Sequence, residues 1–229
     1  MLRAVVFDIG GVLTNDAWEP MFFDAPGNLA EAYGLDVEDL KLFMREIADE
    51  FGYKRPGDSC AENANRLEAE CWARVIARLK LPVSPQYLAR LSRGFVEKTP
   101  HMEELLRDLN EHGVMLAICS NNTEFWFRNQ NEFLGLKSYI HPSRIILSCR
   151  VGAYKDSSGG EMFKAVIHAL EFPAEECVLV DDRGENIERA LRFGMGSVLF
   201  PRSAWYGADY LRTLFSDMGL LLEKERRGV

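Results

Sequence analysis

Four segments of this 229-residue chain put side chains that can hold or attack an anion directly after apolar or small residues. In VVFDIGGVLT (Val5–Thr14), Asp8 follows an apolar run and precedes Gly10-Gly11. That order exposes a carboxylate at a turn, and the glycines let backbone groups approach an anion closely. In LAICSNN (Leu116–Asn122), Ser120 and Asn121 bring a hydroxyl and an amide to a place where a helix is expected to open, a setting suited to phosphate. VGAYK supplies Lys155, and CVLVDDRGEN supplies the pair Asp181-Asp182 with Asn186 four residues after Asp182. Singly, each has a plain structural explanation: a turn aspartate, a helix-capping serine, a surface lysine, an acidic turn. All four at successive strand ends describe a site instead.

These residues need a scaffold that gathers them. Ala4–Phe7, Val114–Cys119, Cys177–Val180 and Ser197–Phe200 are short apolar runs that read as buried parallel strands, and Arg144–Leu147 is a weaker fifth. Helical patterns alternate with them at Met102–His112, Glu161–Leu170 and Glu185–Phe193. The alternation predicts an α/β fold, a Rossmann-like parallel sheet with helices on both faces, with ligands beyond the carboxyl ends of the strands.

A simple strand–helix–strand unit takes about 30 residues, yet Phe7 and Val114 are more than a hundred apart. The surplus reads as helical. Asp36 is placed to cap Val37–Phe51, Asn63–Leu79 carries apolar residues at helical spacing, and Ser84-Pro85 opens a helix to about Phe95. The expected organisation is a core domain of residues 1–15 and 97–229, with residues 16–96 inserted as a helical cap over the site. Trp72 and Met44 are expected in the cap core, and Arg45, Lys54 and Arg55 are candidates for a second anionic group. KRPGDS (Lys54–Ser59) reads as a polar loop, and Glu223–Arg227 as a solvated terminus.

Composition narrows the partners. The formal charge is −8, which argues against nucleic acid or an anionic membrane surface. It also means that an anionic substrate needs a metal or a local lysine. No apolar stretch reaches the ~20 residues of a membrane span, and the opening apolar run leaves no room for a signal peptide. The five cysteines (60, 71, 119, 149, 177) have neither close ligand spacing nor a disulfide framework, and the histidines (101, 112, 141, 168) show no ligand spacing. A cytoplasmic protein is expected.

In their order, a carboxylate nucleophile, a hydroxyl donor, a lysine and an acidic pair resemble the four motifs of the haloacid dehalogenase-like superfamily. The resemblance runs from residue 3 to about 200 and includes the place of the cap. It implies a phosphomonoester hydrolase acting on a small phosphorylated metabolite such as a sugar phosphate. Asp8 would attack phosphorus, Ser120 would bind a phosphoryl oxygen with Gly11 and Asn121 beside it, and Lys155 would neutralise charge. Asp8, Asp182 and the Gly10 carbonyl would hold Mg²⁺, with Asp181 and Asn186 in support behind them.

The chain departs from that pattern twice. Gly10 stands where most phosphatases of the family carry a second aspartate as general acid and base, and Asp16 is the candidate substitute. After the lysine, Asp156-Ser157-Ser158-Gly159-Gly160 replaces Pro-Asp-Pro, which predicts a looser lysine loop. The competing readings are a non-catalytic binding or regulatory protein of the same fold and a metal-free 2-haloacid dehalogenase. The sequence leaves the oligomeric state open.

Overall fold

Strand β1 (Ala4–Phe7) lies at the centre of a five-stranded sheet in which every neighbouring pair is parallel. With β2 (Met115–Ser120), β3 (Ile145–Leu147), β4 (Cys177–Asp181) and β5 (Gly196–Leu199), the order across the sheet is β3-β2-β1-β4-β5. The strands fall where the apolar runs predict, with bounds moved by a residue at several ends. The computed structural model describes residues 1–16, 18–52, 61–201 and 207–221; the KRPGDS loop, with Lys54 and Arg55, Cys60 and the Glu223–Arg227 terminus lie outside them.

Alternate residues of β1 serve opposite faces, as the period of two requires. Val5 and Phe7 join the core beneath Leu105, Leu106 and Leu109, whereas Ala4 and Val6 join Phe163, Val166 and Leu170 on the other side. All four β1 residues are fully buried, so the run is uniformly apolar.

Between β1 and β2 the chain forms α1 (Leu29–Tyr33), α2 (Val37–Ile47), α3 (Ala61–Leu79), α4 (Pro85–Gly94) and α5 (Met102–Glu111). Asp36 and Ser84 cap α2 and α4 as expected, accepting from the backbone N–H of Asp39 and Tyr87. Helix α2 ends at Ile47 and passes into a π-helical turn, Ala48–Gly52, instead of running straight to Phe51. These elements have their own apolar cluster, including Leu40, Phe43, Ile47, Cys71 and Trp72. The two crossings into this region run side by side: Asn15 N–H donates to Glu97 O (3.0 Å), and Thr99 N–H donates to Leu13 O (3.0 Å).

After β2 come α6 (Glu124–Leu134), α7 (Ser148–Val151), α8 (Glu161–Leu170), α9 (Gly184–Arg192) and α10 (Ala208–Asp217). Helix α10 is absent from the sequence expectation; Phe215 packs its ring edge-on to Phe7, centroids 6.4 Å apart. Helix α6 is shared between the two regions, since Phe125 and Trp126 belong to the α2/α3 cluster. Glu68 of α3 reinforces that seam by accepting from Arg93 of α4 (3.1 Å) and Asn129 of α6 (3.2 Å). Among the described residues, no helix is long and apolar enough to cross a membrane.

Candidate active site

The carboxyl edge of the sheet gathers the residues that the sequence singles out. Asp8 directly follows β1, its N–H donating to Val180 O (2.9 Å); Ser120 ends β2, Asp181 ends β4, and Asp182 follows. Lys155 enters from the loop between α7 and α8 and is completely buried. Its Nζ lies 2.6 Å from Asp8 Oδ2 and 2.6 Å from Asp181 Oδ2. The other oxygen of Asp181 accepts from Asn186 Nδ2 (2.9 Å) and Arg183 N–H (2.9 Å). Asp181 is therefore fully engaged in holding Lys155, and Asn186 holds Asp181 rather than the lysine.

Asp8 Oδ1 accepts from the N–H of Ile9 (2.7 Å), and Ser120 hydrogen-bonds the same carboxylate. Burial pushes the Asp8 carboxyl up from 3.8 to about 6; Lys155 pulls it down, and Asp181 adds to the rise. For Lys155, burial works against the ammonium, but Asp8 and Asp181 outweigh it and hold the lysine protonated well above its ordinary value.

Carboxylate oxygens of Asp8, Asp181 and Asp182 all lie within 4.8 Å of one another. One ammonium among three carboxylates leaves an excess of negative charge that a hard divalent cation would neutralise. A few oxygens with room for water suit magnesium. Asp181 is fully buried with both oxygens occupied, by Lys155 and by Asn186 and Arg183, whereas Asp8, although also held by Lys155, lines the cavity and Asp182 is partly exposed, so these two are the accessible candidates for an ion.

The two glycines of the first motif are not equivalent. Gly11 sits at φ +77°, and a methyl there would strike the Asp182 carboxylate; at Gly10 a methyl would meet nothing within 4 Å. Gly11→Ala should therefore cost about 1–2 kcal/mol from the left-handed backbone alone and displace Asp182. Gly10→Asp is open at its first side-chain carbon and places a carboxyl where most phosphatases of the resembled family carry one and this chain does not. On the hydrolase reading proposed below, it should raise kcat on alkyl phosphates by on the order of 10²-fold. Urea unfolding of the first variant and steady-state rates of the second check both.

The lysine loop is tied down without Pro-Asp-Pro, which corrects the looser loop expected from its composition. Tyr154 N–H donates to Ser157 Oγ (2.9 Å), Gly160 N–H donates to Ser157 O (3.1 Å), and Lys155 N–H donates to Asn121 Oδ1 (2.9 Å). Asn121 thus positions the lysine as well as lining the site. Helix α6 opens later than expected: its cap is Thr123, which accepts from Trp126 N–H (3.0 Å), while Ser120 stays in the strand. Between them Asn122 donates to Gln130 Oε1 (2.7 Å), and Gln130 donates to Thr14 Oγ1 (3.1 Å). This buried network fixes the β1 and β2 loops against each other; isolated amides gave it no sequence signal.

Above these groups lies a cavity of about 530 Å³ that reaches Asp8, Gly10, Ser120 and Asn121 below and α2 above. Asp16 and Arg45 line it, as the sequence suggested. Met44, partly buried, packs against the α2/α3 apolar cluster as expected and also lines the cavity, whereas Trp72 is fully buried. Trp18, Phe51 and Arg183 are lining residues that the sequence did not single out.

The sequence profile of haloacid dehalogenase-like hydrolases matches residues 2–194. The chain belongs to this family. Among curated proteins it is similar to acyl-CoA dehydrogenase family member 10 of Mus musculus, with 24% identity over 87% of this chain and 18% of the relative. It is also similar to ribulose-1,5-bisphosphate 5-phosphatase of Halopiger xanaduensis (29% identity; 70% of this chain, 57% of the relative). A phosphatase of Mycobacterium tuberculosis is 26% identical over 97% of both chains. The chain thus spans less than two thirds of the length of the first two. Solved structures share the fold: a family enzyme of Bacteroides thetaiotaomicron, also determined as a magnesium complex, has TM-score 0.67, 17% identity and 92% and 98% coverage of this chain and that one. A phosphatase of Thermococcus onnurineus has TM-score 0.62, 21% identity and 95% and 98% coverage. An L-2-haloacid dehalogenase has TM-score 0.60, 17% identity and 90% and 88% coverage, so the fold alone does not choose the reaction.

Proposed function

We propose that the chain is a magnesium-dependent phosphomonoester hydrolase that works through an aspartyl-phosphate on Asp8, with residues 16–96 as the cap over its site. The observation that carries this reading is the Asp8–Lys155–Asp181 contact, with Asp182 alongside, at the floor of an open cavity. A carboxylate oxygen of Asp8 attacks phosphorus, and the bond from phosphorus to the leaving alcohol breaks. Water then attacks the phosphorylated Asp8, breaks its bond to phosphorus and releases inorganic phosphate. Ser120, with Asn121 and Gly11 beside it, holds phosphoryl oxygens, and Lys155 balances their charge.

Asp8, Asp182 and the Gly10 carbonyl would hold Mg²⁺, which supplies charge neutralisation around the phosphoryl group. Asp181 and Asn186 keep Lys155 in place behind them. The phosphatases among the relatives support this reading, as does the magnesium complex of a protein of the same fold. A metal-free dehalogenase would bring a haloacid carboxylate into a site that already has an excess of carboxylates. The free, buried Cys71, Cys119, Cys149 and Cys177 support a reducing, cytoplasmic setting.

Hydrolysis of p-nitrophenyl phosphate and of a broad phosphate-metabolite panel, with EDTA and then with excess magnesium, tests the proposal. Turnover should vanish in EDTA and return with magnesium. Silence across the whole panel in magnesium would leave only a binding protein.

A further inference from the structure

We infer, resting on the hydrolase reading above, that the alcohol released from the phosphate ester is bulky and apolar rather than a hydroxyl-rich sugar. The cavity is divided by chemistry. Asp8, Ser120 and Asn121 form its polar end, whereas Trp18, Phe23, Met44, Phe51, Phe125 and Trp126 form its apolar walls. The walls begin right beside the reacting end, because Phe125 and Trp126 open the helix that follows the Ser120–Thr123 segment. Trp18 is backed by Trp72, ring centroids 5.6 Å apart, and meets Trp126 edge-on at 5.8 Å. Trp18, Phe23, Met44 and Phe51 are only partly buried, so each presents apolar surface that an apolar ligand would remove from water.

Four of the polar side chains among the walls are already partnered. Asn122, Thr123 and Gln130 line the cavity but bond one another: Asn122 donates to Gln130 and accepts from Thr123 N–H (2.9 Å), and Thr123 caps α6. Lys41 is paired with Glu38 at 2.7 Å. Among the other charged liners away from Asp8, Asp16 and Glu19 balance Arg45 and Arg183, giving no net preference for a charged leaving group. Sugar hydroxyls set against the Trp18, Phe23, Met44, Phe51, Phe125 and Trp126 walls would lose water without equivalent partners, which costs affinity. At about 530 Å³ the cavity also falls within the roughly 300–1,000 Å³ of sites for drug-sized ligands.

The test compares three esters of primary alcohols, so that leaving-group basicity does not bias the result: 2-(2-naphthyl)ethyl phosphate, glycerol 3-phosphate and glucose 6-phosphate, all with magnesium. The naphthylethyl ester should have kcat/KM at least about tenfold above the other two, and Met44→Gln and Phe23→Ser should each shrink that ratio by about tenfold. Equal or better turnover of glucose 6-phosphate or glycerol 3-phosphate overturns the inference while leaving the hydrolase reading intact. If no ester turns over, titration calorimetry with the naphthylethyl phosphonate decides separately. Binding at least about tenfold tighter than that of a glycerol phosphonate upholds the apolar ligand class and sinks only the hydrolase; equal binding sinks the ligand class as well.

Discussion

Lys155→Met should lower the folding stability of the metal-free protein by about 3–5 kcal/mol, the range expected when one member of a buried ionic cluster is removed. The substitution keeps the side chain's length and its fit in a fully buried site, so the loss is electrostatic rather than a cavity effect. It leaves Asp8 and Asp181 facing each other without the ammonium that lies 2.6 Å from each. The alternative open to a stranded carboxylate is protonation, and taking a group from an ordinary value near 3.8 to neutrality at pH 7 costs about 4 kcal/mol. That bound agrees with the predicted loss, and it means that the deficit must shrink as the pH falls towards 4. Two further measurements separate this account from simple misfolding. Adding Asp181→Asn to Lys155→Met should recover more than half of the lost stability, because the pair is then removed together. Magnesium should stabilise Lys155→Met at least as much as wild type, since the ion faces more uncompensated charge. Urea unfolding at pH 5 and 7.5 gives each quantity; a loss independent of pH would contradict the ionic explanation.

What the sequence could reveal of this arrangement follows from which interactions repeat along the chain. The strands are legible because both sheet faces are covered, so β1 and the Cys177–Val180 part of β4 are apolar throughout, and an aspartate follows each run. Asp8 and Asp181-Asp182 were found by that rule, as was Ser120 after the Val114–Cys119 run. Lys155 was found only by motif order, since nothing local distinguishes a fully buried lysine from a surface one; its environment is made by Asp8 and Asp181, each distant in sequence. For the same reason the loop that carries it was misjudged. Ser157 closes the turn with its hydroxyl, and Asn121, just after β2, anchors the Lys155 N–H, so one local and one long-range side-chain bond do the work of the missing prolines. The start of α6 is ambiguous in the sequence because Ser120 and Thr123 are both good caps, and pairing of Ser120 with Leu147 in the sheet leaves the cap to Thr123. Met44 illustrates the converse: its helical spacing in α2 marks an inward face, but spacing cannot tell that this residue also lines a cavity.

On the proposed mechanism, Asp8→Asn should abolish turnover, by on the order of 10⁴–10⁶-fold, because an amide would not form the covalent intermediate and the other groups would act only around it. The same variant should be more stable than wild type without metal, and the sign follows from the Asp8 carboxyl. Its value in the fold, about 6, exceeds the ordinary 3.8. Between those limits the folded protein binds the proton and the unfolded chain has released it, so stability falls as pH rises through this window. Above pH 6 the ionised carboxylate costs the fold up to about 3 kcal/mol, a cost that the neutral amide does not carry. Lys155 remains paired with Asp181 in the variant, so no new charge is stranded. Asp8→Asn should accordingly withstand more urea than wild type at pH 7.5 in EDTA, and its advantage should disappear below about pH 4. Magnesium should narrow the gap at pH 7.5, because Asp8 is one of the carboxylates assigned to the ion. Loss of turnover together with this pH-dependent gain would mark Asp8 as a group held in an unfavourable charged state for chemistry; loss of both turnover and stability at pH 7.5 would show instead that its carboxylate is a structural partner of Lys155.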